Sequence, residues 1–422
     1  MPRYTPGHSF EINGCRTVCC GTELDQQEYF TLLISIQMFI TAARIHNGLQ
    51  WLPQGTVIEV ADDGTIIDLH RSGSVIADVV YEGVLCPGFV NVHCHLELSH
   101  MKGAIPEHTG LIPFLQTIPR HRNDYTEEQK KDARLQALQE MVANGIVAVG
   151  DIANVADTLD LRTLDLLHFY TFVEAIGFSD INAQRSFDRS LAVYDTFAQQ
   201  PQGKKMLKQV IAPHAPYSVS ATLFRLIGNH TNGVLSIHNQ ESKAEDEYYK
   251  YKTGQVQDLL HGLGIDDSFF VPPGTSSLQA YLQWLPHNRP YLLIHNTYTT
   301  QEDLQLALQL VPQLYCCLCP GANLYIEDRL PHVDMFLNNK ATLCIGTDSL
   351  ASNHSLSILA ELQLLKKHYP ALDWEQLLKW GTYNGACALQ MDDVIGMIAK
   401  GKRPGIINIK DLDSAEVKLE IV

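Results

Sequence analysis

No stretch of this 422-residue chain offers the uninterrupted apolar length that a bilayer span requires. The strongest candidate, residues 29–45, is broken by Ser35, Gln37 and Arg44. It also lies too far from the N-terminus, behind Asp25 and Glu28, to be a signal peptide. Positive charge is scarce as well: 31 Lys and Arg stand against 47 Asp and Glu, giving a formal net charge of −16, and no Lys/Arg-rich run reverses this locally. Such a surface repels a polyphosphate backbone and argues against nucleic acid as a partner. The ten cysteines are scattered. Cys15, Cys19 and Cys20 lack a matching His or Cys cluster for zinc, and a chain of this length needs no disulfide staples, so a reducing cytoplasm is expected.

What is present is core-forming material. Apolar residues make up 45% of the chain, enough for one large barrel with a smaller companion domain. Residues 1–37 show no readable period and are treated as an unassigned extension, upstream of a natural start at Met38. Residues 39–45, 56–60 and 65–69, the last following the Asp63-Gly64 turn, predict short antiparallel strands of a small β domain. Beyond Pro87 apolar strands alternate with helical stretches such as 126–144, a pattern that predicts parallel βα units. Runs entering His93 and Asp151 are followed by others at 167–176, 209–213, 233–238, 291–295, 313–319 and 341–348. Eight such runs suffice to close a TIM-type barrel, where chemistry gathers at the C-terminal strand ends.

His93, His95, His214, His238, His295 and Asp348 all occupy strand ends of that kind. His93 and His95, two apart on a strand, project to the same side and can share an ion. Taken singly, each has a plain alternative: His214 could cap a turn, and Asp348 could cap the next helix. One shared metal explains His93, His95, His238 and Asp348 together, whereas independent coincidences would be needed otherwise. Glu241, three residues beyond His238, could carry protons for a leaving group. Its plain alternative is a solvated helix start, since 241–247 is rich in charge.

The segments Pro87-Gly88-Phe89-Val90-Asn91-Val92-His93-Cys94-His95, His238-x-x-Glu241, Ile294-His295, Cys319-Pro320-Gly321-Ala322-Asn323-Leu324, Gly346-Thr347-Asp348-Ser349 and Ile395-Gly396 through Lys402 resemble the amidohydrolase superfamily. The branch resembled is that of aromatic-amine deaminases and related chlorohydrolases, and the likeness runs from Met38 to the C-terminus. It implies an α/β fold: a (β/α)8 barrel over residues 85–393, with a composite β-sandwich from 38–84 and 394–422. It implies one divalent metal, zinc first and iron second, held by His93, His95, His238 and Asp348. Glu241 would shuttle protons, Asp348 would accept a proton from the attacking water, His295 would orient the water, and His214 would face substrate. Gly401-Lys402-Arg403-Pro404-Gly405 departs from the usual Gly-Lys-x-Ala-Asp, which puts that strand start in doubt. No strand-end lysine bridges two metals, which favours a single ion.

The implied reaction is hydrolytic deamination: water adds to an amino-bearing ring carbon, Glu241 protonates the ring nitrogen, and ammonia leaves. His93 through Ser99 resembles the corresponding segment of aminodeoxyfutalosine deaminases, which points to an adenine nucleoside derivative, with Glu97 and His100 along ribose or base. Glu97 as a helix-start charge is the competing reading. Alternatives are hydrolysis or dechlorination of a guanine, pterin or triazine ring, or a non-catalytic binding protein on the same scaffold. The smaller zinc nucleobase deaminases fit poorly. His95-Leu96-Glu97 matches their His-x-Glu, but Pro320 follows Cys316-x-x-Cys319 instead of preceding it, and those cysteines read as core residues. A cytoplasmic enzyme with a small-molecule substrate, and with no feature that sets the symmetry of a homo-oligomer, is the expectation.

Overall fold

The computed structural model describes residues 37–414 and 417–422. The interpretation of the first 37 residues therefore lies outside it, Gln37 excepted. Four strands come first: β1 (Gln37–Ile45), β2 (Val57–Ala61), β3 (Ile66–His70) and β4 (Val79–Pro87). Then β5 (Phe89–Cys94), β6 (Ile146–Ala153), β7 (His168–Ala175) and β8 (Leu207–Pro213) form one parallel run. A second comprises β9 (Leu235–Asn239), β10 (Tyr291–His295), β11 (Leu314–Leu318) and β12 (Thr342–Ile345). The last two strands are β13 (Ile406–Lys410) and β14 (Lys418–Ile421).

The two parallel runs meet at both seams through backbone hydrogen bonds at the C-terminal strand ends. The His238 N–H donates to the His214 carbonyl at 3.0 Å, and the Thr347 and Asp348 N–H groups donate to the His93 carbonyl at 3.1 Å each. The second seam is reinforced by Asn91, whose side chain accepts from the Thr347 N–H at 3.1 Å and donates to its hydroxyl at 2.7 Å. Gly346 is required there, because a Cβ would lie 2.9 Å from His93 Cβ and 3.0 Å from Cys317 Sγ. Tyr170, Phe172, Val210, Ala212, Leu292 and Ile294 pack in one buried cluster. By the two-residue strand period, the face that carries Tyr170 and Phe172 ends in Glu174, and that of Val210 and Ala212 ends in His214. Apolar filling below and polar groups at the rim follow from that alternation.

Helices cover the outside. The predicted 126–144 helix spans Glu127–Ala143, with Thr126 and Gln129 forming a capping box. The predicted flanking strands also form. They join one six-stranded sheet, β14-β13-β4-β1-β2-β3, so both chain ends meet in a single layer of pairing. β4 was not expected from sequence; it runs parallel to β1 and antiparallel to β13. Cys316 and Cys319 are buried free thiols that pack in different clusters, as their opposite strand faces require. Among the described residues no helix is long and apolar enough to cross a membrane.

Candidate metal centre and substrate cavity

The strand ends converge. Rings of His93 and His95 lie 5.0 Å apart, and His93 and His238 4.9 Å apart. The Asp348 Oδ1 atom sits 3.4 Å from His93 Nε2 and 3.5 Å from His95 Nε2. His95 Nε2 and His238 Nε2 face each other at 3.3 Å. Among the described residues three overlapping trios have donor atoms within 4.8 Å of one another: His93, His95 and Asp348; His93, His238 and His295; His95, Glu174 and His238. All pairs among His93, His95, His238 and Asp348 occur in these trios except His238 with Asp348.

These donors suit a divalent cation. Both ring nitrogens of His93 are buried and, among the described residues, neither has a hydrogen-bond partner, a costly state that a ligated ion would relieve at one of them. The His238 Nδ1–H donates to the His214 carbonyl at 2.8 Å, so its Nε2 turns a lone pair towards His95 and His93. Burial pushes the Asp348 carboxyl up, but the surrounding imidazoles of His93, His95 and His295 hold it well below the usual carboxylate range. Burial lowers His95 to about 3, and His238 well below its ordinary value, so both imidazoles are neutral donors.

Ser352 Oγ donates to Asp348 Oδ2 at 2.6 Å, leaving Oδ1 for the histidines. Glu241 lies 3.6 Å from His295 Nε2, and burial raises its carboxyl well above the ordinary range, with the charges of Asp348 and Glu327 adding to the effect. A carboxyl in that condition holds a proton it can give. His214 Nδ1 pairs with Ser218 Oγ at 2.6 Å.

A cavity of about 370 Å³ opens over this centre, a volume suited to a small organic ligand. His95, His214, His238, Glu241, His295 and Asp348 line it, as does Glu97. His100, expected along the substrate, is not in that lining; it is buried and packs edge-on against Tyr125 at 5.0 Å. Sequence reasoning also missed a polar belt. Asn154 donates through its side chain to Glu97 at 2.9 Å and Glu174 at 3.0 Å, and its N–H reaches Glu97 at 3.2 Å. Arg122 approaches Glu97 at 3.4 Å, and Glu174 approaches His238 Nδ1 at 3.4 Å. The strand-end position of Glu174 is a signal that could have found it; Asn154 and Arg122 lie in loops without a pattern.

Residues 84–422 match the amidohydrolase family. The chain belongs to that family. A similar protein is the aminodeoxyfutalosine deaminase of Nitratiruptor sp., 26% identical over 350 residues, covering 78% of this chain and 82% of the relative. The 5-methylthioadenosine/S-adenosylhomocysteine deaminase of Thermococcus kodakarensis is also 26% identical, over 358 residues, with 81% and 78% covered. Among solved structures, Helicobacter pylori aminofutalosine deaminase in complex with methylthio-coformycin superposes with a TM-score of 0.72 at 20% identity, over 88% of this chain and 92% of that one. The barrel is thus that of known amidohydrolase-fold enzymes.

Proposed function

We propose that this amidohydrolase is a metal-dependent deaminase of an amino-substituted aromatic ring, with an adenine nucleoside derivative such as aminodeoxyfutalosine as its substrate. The observation that carries the reading is the joint occurrence, around one cavity, of a buried histidine and carboxylate donor set and the buried Glu241, whose carboxyl is held well above its ordinary range. The names of the curated relatives, deaminases of adenine nucleosides, give it the substrate class. His93, His95, His238 and Asp348 would hold one divalent ion, zinc in the first instance. When bound, the ion supplies a Lewis acid that makes water nucleophilic at neutral pH.

The protein side chains do the rest. Glu241 gives its proton to the ring nitrogen beside the reacting carbon, the proton that Asp348 takes from water passes to the departing amino group, and the hydroxyl proton of the adduct returns to Glu241, so that water enters, ammonia leaves and both carboxyls end as they began. His295, 3.6 Å from Glu241, orients the attacking water, and Asp348 takes its proton. His214, tied to Ser218, presents its other face to the ring, and Glu97 meets the sugar. We further assign residues 38–84 and 394–422 to a composite β-sandwich around Ile40, Ile58, Ile398 and Ile406, and residues 85–393 to the hydrolase barrel; the pairing of β4 with β13 supports this. The test is a screen of adenine, guanine and cytosine derivatives and chlorotriazines with zinc-loaded protein, read as ammonia or chloride release. Ammonia from adenine nucleosides is expected. Chloride release, or ammonia only from other rings, would overturn the assignment.

A further inference from the structure

Within the charge-rich stretch 241–247, Glu245 is fully buried. Lys243 and Lys250 on its helix pair with Glu247 and Asp246 instead, and the charged groups around Glu245 are the carboxyls of Glu241, Asp246 and Asp303. A carboxyl taken out of water without a cation is costly, so what it holds in return matters. Its Oε1 accepts from the Gln240 N–H at 3.0 Å and from the Ser277 hydroxyl. Gln240 stands between the end of β9 and Glu241, and its backbone is left-handed, with φ 44°. Its carbonyl accepts from the Tyr298 N–H at 2.9 Å, and its amide donates to Asp303 at 2.8 Å. The turn is therefore gripped at three points. Glu241 is not: among the described residues no hydrogen bond fixes its carboxyl, whose ion-pair partner is His295 at 3.6 Å. A proton carrier without ties of its own points where its backbone sends it.

On an extended strand Glu241, three residues from His238, would face away from it. The reversal at Gln240 brings both side chains to the same cavity. We infer that Glu245 is a positioning residue for the deamination: by holding the Gln240 N–H it sets the turn that aims Glu241 at the reacting ring. The inference rests on the deaminase reading for what Glu241 does, and adds the group that places it. The helix Ser277–Tyr281 is the buttress. Its Ser277 holds Glu245 through the hydroxyl and Asp246 through the N–H at 3.2 Å, so the turn is anchored to a segment outside the cavity lining. Without Glu245 the Gln240 N–H would be buried and unpaired, and a backbone conformation costly for any residue but glycine would lose a restraint. What Glu245 supplies is acceptance of hydrogen bonds, not charge. Burial raises its carboxyl to about 8, although Ser277 and the Gln240 N–H donate to it, so it is neutral at pH 7 and glutamine is its nearest substitute.

The experiment compares Glu245→Leu, which keeps the bulk and removes the acceptor, with Glu245→Gln and Ser277→Ala, all as full-length zinc-loaded protein. Ammonia release from adenosine and from 5-methylthioadenosine gives kcat and KM, elemental analysis gives zinc content, and crystal structures give the Gln240 backbone and the Glu241 carboxyl. Glu245→Leu should lower kcat about a hundredfold, the cost of a misplacement of about 1 Å, with KM and zinc content unchanged within about threefold. Its crystal structure should show Gln240 out of the left-handed region and Glu241 displaced from His295. Glu245→Gln should restore kcat. Ser277→Ala leaves Glu245 in place and carries the test should Glu245→Leu not fold; a loss of about tenfold in kcat is expected. The proposal is overturned by wild-type kcat in both Glu245→Leu and Ser277→Ala, by a loss of kcat matched by losses in KM and zinc, by no restoration in Glu245→Gln, or by an unmoved Glu241 in the Glu245→Leu crystal. If the wild type releases no ammonia from any amino-substituted ring, the deaminase reading falls, and the crystal structures alone decide whether Glu245 places Glu241.

Discussion

Ser352 offers a sharp test of the metal centre, because it lies outside the cavity lining and reaches the centre through its hydrogen bond to Asp348, its other partner being Ser349, whose hydroxyl is 3.0 Å away. Its hydroxyl is fully buried and donates to Asp348 Oδ2 at 2.6 Å, while the other carboxylate oxygen is the one near His93 and His95. Ser352→Ala deletes that donor and lets the carboxylate rotate. A hydrogen bond to a charged group is worth about 1.5–3 kcal/mol, which converts to a loss of roughly ten- to 150-fold in metal affinity. The range agrees with the roughly 10–100-fold cost of losing a partner of a metal ligand. Competition against a chromophoric zinc chelator measures the affinity. Urea unfolding of the metal-free protein serves as a control, where the unsatisfied carboxylate should cost about 1–3 kcal/mol. If S352A binds zinc within threefold of the wild type, Asp348 does not hold the ion in the way proposed.

Glu241→Gln should keep full metal content by elemental analysis and lose turnover by about 10²- to 10⁴-fold, the usual worth of a positioned proton carrier; near-native turnover would remove Glu241 from that role. His238→Ala should act the other way, lowering the metal-to-protein ratio after dialysis, and an unchanged ratio would exclude His238 as a ligand. Burial pushes the Glu361 carboxyl up to about 7, although the Gly321 N–H and the Asn353 amide each donate to it at 2.7 Å. The folded state therefore holds this proton more tightly than the unfolded chain, and stability should fall as pH rises from about 4.5 to 7, by on the order of 3 kcal/mol. Glu361→Gln should remove that slope between pH 5 and 8 in urea unfolding, and parallel profiles for the two proteins would refute it.

The barrel was legible because each of its strands is a buried apolar run closed by a turn or an ionisable residue, a local pattern that needs no knowledge of partners. The candidate donors could be picked out by the same pattern: His93, His95, His238 and Asp348 stand at or just past the ends of β5, β9 and β12. β4 was not, since Gly83 interrupts its pattern at φ +122, where a Cβ would meet the Ile409 carbonyl at 2.4 Å. That close approach involves β13, more than 300 residues away, and nothing local announces it. His100 illustrates the opposite error. Adjacency to the metal strand suggested a substrate contact, yet the short helix Leu96–Met101 turns its ring towards Tyr125. Glu97, three residues earlier on that 3-10 helix and so on the same face, reaches the cavity; one turn along the helix axis separates the two, not a difference in direction.

The polar belt and the backbone at the rim share a physical logic. Gln240, His295, Asn296 and Asp348 all adopt left-handed backbone, with φ of 44°, 68°, 58° and 57°, at the ends of the strands that carry the site. Such conformations cost about 1 kcal/mol or more each in residues other than glycine, and they persist only where side chains over-determine them. Each has such a tether: the Gln240 amide donates to Asp303 at 2.8 Å, Asn296 donates to the Leu293 and Cys317 carbonyls, and the Asp348 N–H and carboxylate are held by His93 and Ser352. His295 is held more weakly, by Asn323 at 3.4 Å. An extended continuation would send alternate side chains to opposite faces and carry Asp348 or His295 away from the axis. The left-handed turn brings them back over the strand ends, so the strain is the means by which parallel strands that end in different places present their donors to one point.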